Sequence, residues 1–177
     1  MTLILLIILL IGLIVGYRRG AVLQLLHLIG TISALIIASL NYETLGSKFY
    51  LVMPYPSTAQ ENPNSVLSEV ANLEYAYYYM FAFFIIFIVS KVIIQIIVSG
   101  FDYLQQITSS GLFSSIAGTV LGLIEAVYLL VVILFFIATI PYFPIQEGLA
   151  DSGLASFIME HTFIVSDKLI EWIQVES

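Results

Sequence analysis

The stretch Gly16-Tyr17-Arg18-Arg19-Gly20 contains the only adjacent pair of basic residues in the chain and interrupts an otherwise apolar segment, residues 2–40. As one helix at about 1.5 Å per residue, that segment would reach roughly 60 Å, twice the hydrocarbon thickness of a bilayer. Two arginines are costly at the bilayer centre, so they indicate a boundary between membrane and water. The stretch therefore predicts a turn between two membrane-spanning helices.

The composition indicates an integral membrane protein surrounded by the lipid bilayer. Of 177 residues, 60% are hydrophobic and 10% are charged, with a mean hydropathy of +1.06, which lies far from the balance of soluble domains. The net charge of -7 argues against nucleic acid as a partner. The absence of cysteine excludes disulfides, thiolate catalysis and cysteine-based metal sites.

Hydropathy and turn residues predict an all-α fold, a four-helix transmembrane bundle followed by a C-terminal amphipathic helix. The membrane domain takes residues 1–141, with spans at about 2–17, 21–40, 75–98 and 116–140. Polar connections are expected at 41–74 and at 100–115, and residues 65–74 are expected either to form a short helix or to extend the third span. The tail, 142–177, is acidic, and apolar residues at intervals of three and four predict one helix over 152–173. Because this helix lacks a basic face, we expect it to dock on the protein's own loops rather than on lipid.

Glycines recur at intervals of four in the apolar segments, a spacing that lets two helix backbones approach closely in lipid. Gly12, Gly16 and Gly20 form one such set, Gly30 begins another, and Gly118 and Gly122 form a third. We expect the first set to pack against residues 21–40. The alternative is a homodimer face, which would make the protein a homo-oligomer.

Five polar side chains lie inside the predicted spans and form a candidate intramembrane cluster: Gln24, His27, Lys91, Gln95 and Glu125. By helical rise, several of them fall at a similar depth, so we expect Lys91 and Glu125 to pair, since an isolated charge in hydrocarbon is costly. One interpretation is a proton or ion relay. The other is that these groups only hold the helices together, with Lys91 reaching toward the interface.

The distribution of basic residues predicts the orientation. With Arg18, Arg19 and Lys91 on the cytoplasmic side against Lys48 and Lys168 outside, both termini are expected to be extracytoplasmic. The arginine pair is interpreted as a topology anchor, the alternative being that it holds an anionic lipid or an acidic patch of a partner.

Patterns typical of catalysis are missing from the sequence. His27 and His161 are isolated, and there is no HExxH motif, no glycine-rich phosphate loop and no GxSxG turn. We therefore expect no catalytic residues, no metal site and no cofactor, and a protein that is not an enzyme.

The opening stretch, followed by Val22, Gln24, Leu25 and Gly30, resembles the start of the CvpA (colicin V production) family. Phe113 to Gly122 before the apolar run to Pro141, and Asp151-Ser152 with Leu154, resemble its last span and acidic tail. The resemblance implies a bacterial inner (cytoplasmic) membrane protein with a role in colicin V-type toxin production or export, or in envelope physiology, alongside an unknown membrane-protein partner. It carries over no catalytic residue; the matching positions are Gly16, Gly20 and the two arginines.

Two other functions remain open at this stage. The first is a small channel or transporter subunit that uses Lys91, Glu125 and His27 along a polar path. The second is a binding module on the outer surface formed by the tail helix. Because four spans leave little room for a pore, a solute path would require several copies.

Overall fold

The computed structural model of the chain describes residues 1–56, 67, 70, 72–101, 111–162 and 165–173. These residues form helices and contain no strand. The helices are α1 (Thr2–Val52), α2 (Leu73–Ser99), α3 (Leu112–Ala138), α4 (Phe143–Ala150), α5 (Gly153–His161) and α6 (Val165–Ile173). Within this described part, α1, α2 and α3 are long and apolar enough to cross a membrane.

Helix α1 is broken at Gly20. This residue has φ 75° and ψ 173°, a conformation that is essentially restricted to glycine because a Cβ would clash with the backbone. The break divides α1 into an N-terminal arm, residues 2–19, and a C-terminal arm, residues 21–52. The break affects Gly20 alone, since residues 16–19, the rest of the stretch predicted as a turn, remain helical.

Contacts with α3 show that the chain reverses direction at this break. Along the N-terminal arm, Gly16 lies against Gly118 and Gly12 lies against Gly122. Along the C-terminal arm, Ala21 contacts the start of α3 and Thr31 contacts it eleven residues further on, through hydrogen bonds to Ser114 and Glu125. Since both arms move toward the C-terminal end of α3 as they leave Gly20, they lie side by side.

The glycines of the N-terminal arm pack against a different helix from the one predicted. A Cβ on Gly12 would lie 2.6 Å from the Cβ of Ala126, and one on Gly16 would lie 3.0 Å from the Cα of Gly122. The N-terminal arm therefore packs its glycines against those of α3, and the expectation that they face residues 21–40 was wrong. The reason is that α3 carries glycines at the same spacing, so both surfaces lack side chains and two backbones can touch.

Helix α1 also continues well beyond residue 40, so the expected loop at 41–52 is helical instead. Tyr42 and Gly46 are buried while Asn41, Glu43 and Lys48 are exposed, which gives this polar segment one inward-facing stripe at helical spacing. Helix α2 encloses the predicted span 75–98. Helix α3 overlaps the span expected at 116–140, but it begins before residue 116 and ends before residue 140. Half of the predicted helix at 65–74, and residues 102–110 of the second connection, lie outside the described residues, while Leu73 and Glu74 already belong to α2.

The tail does not form the single helix predicted for 152–173. Helix α5 ends at His161, and Thr162 adopts an extended conformation with its hydroxyl donating to the carbonyl of Ile158, 2.6 Å away. Such a bond offers the backbone an alternative to continuing the helix. Helix α4 was not predicted; Pro144 lies in its first turn, and the Gln146 amide donates to the carbonyls of Ala138, the last residue of α3, and of Ile140 just after it.

The tail packs against the long helices, including the part of α1 that was expected to be a loop, while most of the remaining first connection lies outside the described residues. Leu149, Ala155 and Leu169 are buried in one core with Phe83 and Phe135. The Thr2 and Ser152 hydroxyls lie 2.9 Å apart, which joins the start of α1 to the N-cap of α5. The core therefore continues from the long helices into α4, α5 and α6 at the end opposite the Gly20 break.

Candidate functional site

The five predicted polar residues lie in one hydrogen-bonded network between α1, α2 and α3. Gln24 and His27 come from the C-terminal arm of α1, Lys91 and Gln95 from successive turns of α2, and Glu125 from α3. Helical periodicity aligns the residues on each helix, since positions three and four apart share a face. The glycine contacts with α3 help to bring Glu125 within reach of α1.

An ion pair between Lys91 and Glu125 occupies the centre of this network. The Lys91 Nζ contacts the Glu125 Oε1, and the two side chains are only 13% and 9% exposed. The second carboxylate oxygen, Oε2, accepts a hydrogen bond of 2.5 Å from the Gln24 amide. Because a buried charge without a counter-charge is costly, each of these groups requires the other.

Thr31 completes the surroundings of the ion pair, and the sequence analysis missed it. Its hydroxyl lies 2.8 Å from the Glu125 Oε1, 2.6 Å from the Lys91 Nζ and 3.0 Å from the His27 carbonyl oxygen. It can therefore accept from the ammonium group while donating to the carboxylate. Its spacing of four residues from His27 places Thr31 on the same helix face, but this spacing alone does not indicate the contacts with Lys91 and Glu125.

His27 and Gln95 form a second layer of the network. The His27 Nδ1 lies 3.0 Å from the Gln95 Oε1 and donates to it, because an amide oxygen can only accept. The His27 Nε2 is buried and has no hydrogen-bond partner among the residues that the structure describes. If His27 is neutral, this tautomer leaves the Nε2 as an unprotonated acceptor.

A cleft of about 250 Å³ opens beside the ion pair, between the N-terminal arm of α1, α2 and α3. Arg19, Gln24, Lys91, Gln95 and Glu125 contribute its polar lining. The Arg19 Nη1 donates to the Gln24 Oε1 over 3.4 Å. Hydrogen bonds thus run from Arg19 through Gln24 and Glu125 to Lys91.

The other predicted residues serve the packing around the cluster. Gly12, Gly16, Gly118 and Gly122 form the backbone contact described above, whereas Gly30 packs on Ile94 of α2. Arg18 is exposed on the turn before Gly20. Within the described ranges, no three His, Asp or Glu side chains come together as a metal site would require.

Comparisons with known proteins agree with this architecture. The family model for the colicin V production protein matches residues 1–162. A protein of Bacillus subtilis (strain 168), described as the uncharacterized transmembrane protein YshB, is 33% identical over 173 residues, covering 97% of this chain and 96% of its own. No solved structure matches the chain. Three apolar helices and a match over nearly the whole length lead to one conclusion: this membrane protein belongs to the colicin V production protein family.

Proposed function

We propose that this chain is a non-enzymatic, four-span protein of the bacterial inner membrane that supports toxin production or export, or envelope physiology, by binding another membrane protein. The family description supports the link to colicin V-type toxins. The observation that carries the accessory role is the closed ion pair, in which Glu125 takes all its donors from Gln24, Thr31 and Lys91 of its own chain. A pair satisfied in this way fixes the helices relative to one another, and a fixed scaffold suits a docking partner.

The break in α1 supports the proposal of four membrane crossings. At about 1.5 Å per residue, a straight α1 would be far longer than the bilayer is thick, whereas the two arms that lie side by side reach about 27 Å and about 48 Å, so each is long enough for one crossing and the second extends beyond it. Arg18 and Arg19 then lie at the cytoplasmic end of the first hairpin. The tail, which contacts Thr2 at the other end, is extracytoplasmic in this arrangement together with both termini.

The orientation can be tested by cysteine labelling, since the chain has no native cysteine. We expect Asp151→Cys, on the exposed surface between α4 and α5, to react with an impermeant maleimide added to intact cells. We expect Gln105→Cys, in the connection between α2 and α3, to react only after the membrane is permeabilised. The reverse pattern would put the tail in the cytoplasm and contradict the proposed orientation.

A second candidate function, a channel or transporter subunit, is favoured by the cleft beside Lys91 and Glu125 and by the unpartnered Nε2 of His27. Flux through proteoliposomes separates it from the accessory role. If the accessory role is right, vesicles with the wild-type protein will pass protons and monovalent ions no faster than empty vesicles. Flux that exceeds the empty control and disappears in the double variant Lys91→Met, Glu125→Gln would replace the accessory role by transport.

A further inference from the structure

The charges that line the cleft do not balance. Lys91 and Glu125 neutralise each other, but Arg19 donates only to the neutral amide oxygen of Gln24, over 3.4 Å. No carboxylate lies within ion-pair distance of Arg19 among the residues that the structure describes. The cleft therefore carries one excess positive charge at Arg19. A ligand with a single negative charge at that position would complement it.

The wall of the cleft next to Arg19 is apolar and open to the outside of the bundle. Three apolar residues of the N-terminal arm precede Arg19 at intervals of three and four and line the cleft: Val15, Ile11 and Ile8. Of these, Ile11 is 53% exposed. From Arg19 to Ile8 the helix rises about 16 Å, half the thickness of a hydrocarbon core of about 30 Å. The wall therefore has the length of one leaflet and runs from a charged end to an apolar end.

Gln95 supplies hydrogen-bond donors inside the same cleft. Its Oε1 accepts from His27, and its amide hydrogens have no partner within the described residues. An amide of this kind can donate to a carbonyl oxygen. The cleft thus combines a cation, a neutral donor and an apolar wall, which match the phosphate, the ester carbonyl and the acyl chain of a phospholipid.

We propose that the cleft binds one anionic phospholipid of the cytoplasmic leaflet. Its phosphate pairs with Arg19, and one acyl chain lies along Val15 and Ile11 between the N-terminal arm and α2. The assignment to that leaflet rests on the proposed orientation, in which Arg19 lies at the cytoplasmic surface, where anionic lipids are enriched. Binding of the lipid itself rests only on the cleft.

Native mass spectrometry of the full chain in detergent tests this proposal, with phosphatidylglycerol as the probe and phosphatidylcholine as the zwitterionic reference. We expect the wild-type protein to retain one phosphatidylglycerol and to bind phosphatidylcholine about tenfold more weakly, because the choline cation offsets the negative charge that complements Arg19. Arg19→Gln should lose that preference. Arg18→Gln, which removes the same charge one residue away, should keep it.

A separate variant tests whether an acyl chain occupies the cleft. Ile11→Trp places a larger side chain at an exposed position of the cleft wall, and we expect it to reduce phosphatidylglycerol binding while the protein remains folded. Equal binding by Arg19→Gln and Arg18→Gln, or competition by inorganic phosphate as effective as that by the lipid, would overturn the proposal. Because binding in detergent does not depend on orientation, its loss would leave the cysteine-labelling result unaffected, and a reversed labelling pattern would leave binding unaffected.

Discussion

Because of the Lys91–Glu125 ion pair, the packing of the helices depends on individual residues. Each charge is buried, and each is the other's counter-charge. Thr31 and Gln24 supply the remaining hydrogen bonds to the carboxylate. Removal of one partner therefore leaves an uncompensated charge inside the bundle, which is more damaging than removal of both.

We predict that Glu125→Gln lowers the free energy of unfolding by about 3–5 kcal/mol, because Lys91 then remains buried without a counter-charge. The double variant Lys91→Met, Glu125→Gln should lose less than Glu125→Gln alone. Reversible unfolding in mixed micelles measures both. As a control, Lys168→Met breaks the exposed pair with Glu171 and should cost less than about 1 kcal/mol. Equal losses in the buried and exposed pairs would contradict a stabilising role for the network.

The pairing of Lys91 with Glu125 could be predicted from sequence because charge in a membrane requires a counter-charge, and only a few candidates were present. Thr31 could not be identified in the same way. A hydroxyl in an apolar helix can satisfy itself on the carbonyl four residues earlier, and the Thr31 hydroxyl does lie within reach of the His27 carbonyl, so its position in the sequence requires no partner on another helix. Its additional contacts with Lys91 and Glu125 depend on the angle at which three helices meet, which no local pattern contains.

At the scale of the elements, the contact between the N-terminal arm and α3 depends on glycine at four positions. A Cβ at Gly16 would overlap the carbonyl oxygen of Gly118, and this neighbour is backbone rather than a flexible side chain. The two helices could accommodate it only by moving apart.

We predict that Gly16→Ala destabilises the protein by at least about 3 kcal/mol, the upper range for overpacking, because backbone cannot yield as a side chain can. Gly153→Ala is the matched control. No atom lies within 4 Å of the position of its added Cβ, so its stability should be unchanged or slightly higher. Thermal unfolding of the two variants in the same detergent gives the comparison. A tolerated alanine at residue 16 would show that the helices can separate at little cost.

The glycine spacing indicated close packing but not the identity of the partner helix. Three helical segments carried small residues at intervals of four, so several pairings satisfied the same rule. The choice between them follows from the reversal at Gly20 and the crossing of α3, which are tertiary features. The division of the tail was missed because intervals of three and four continue through Thr162, whose backbone is nevertheless extended and separates α5 from α6.

On the scale of the whole molecule, aromatic contacts connect the tail to the long helices. The Trp172 ring on α6 lies 5.8 Å from the Tyr42 ring and 5.5 Å from the Phe83 ring, measured between centroids. Tyr42 belongs to the part of α1 that was expected to be a loop. The extended α1 thus provides one side of the surface on which α6 packs.

Because Trp172 is the only tryptophan in the sequence, its fluorescence reports whether α6 is docked. We predict that Tyr42→Ala shifts the emission maximum to the red, since removal of a packed aromatic ring admits solvent to Trp172. Phe157→Ala, at a 60% exposed position on α5, should leave the emission unchanged. Identical spectra for Tyr42→Ala and the wild type would mean that α6 docks without this contact.

The sequence distance between the partners of Glu125 sets an order of events during synthesis. Gln24 and Glu125 are 101 residues apart, and at about 5–20 residues per second the ribosome needs roughly 5–20 s to travel that distance. For that interval the first hairpin has been made, but its polar groups and its glycine face have no α3 to pack against. The nascent hairpin must therefore persist in the bilayer, or in the insertion machinery, until the second half of the chain arrives.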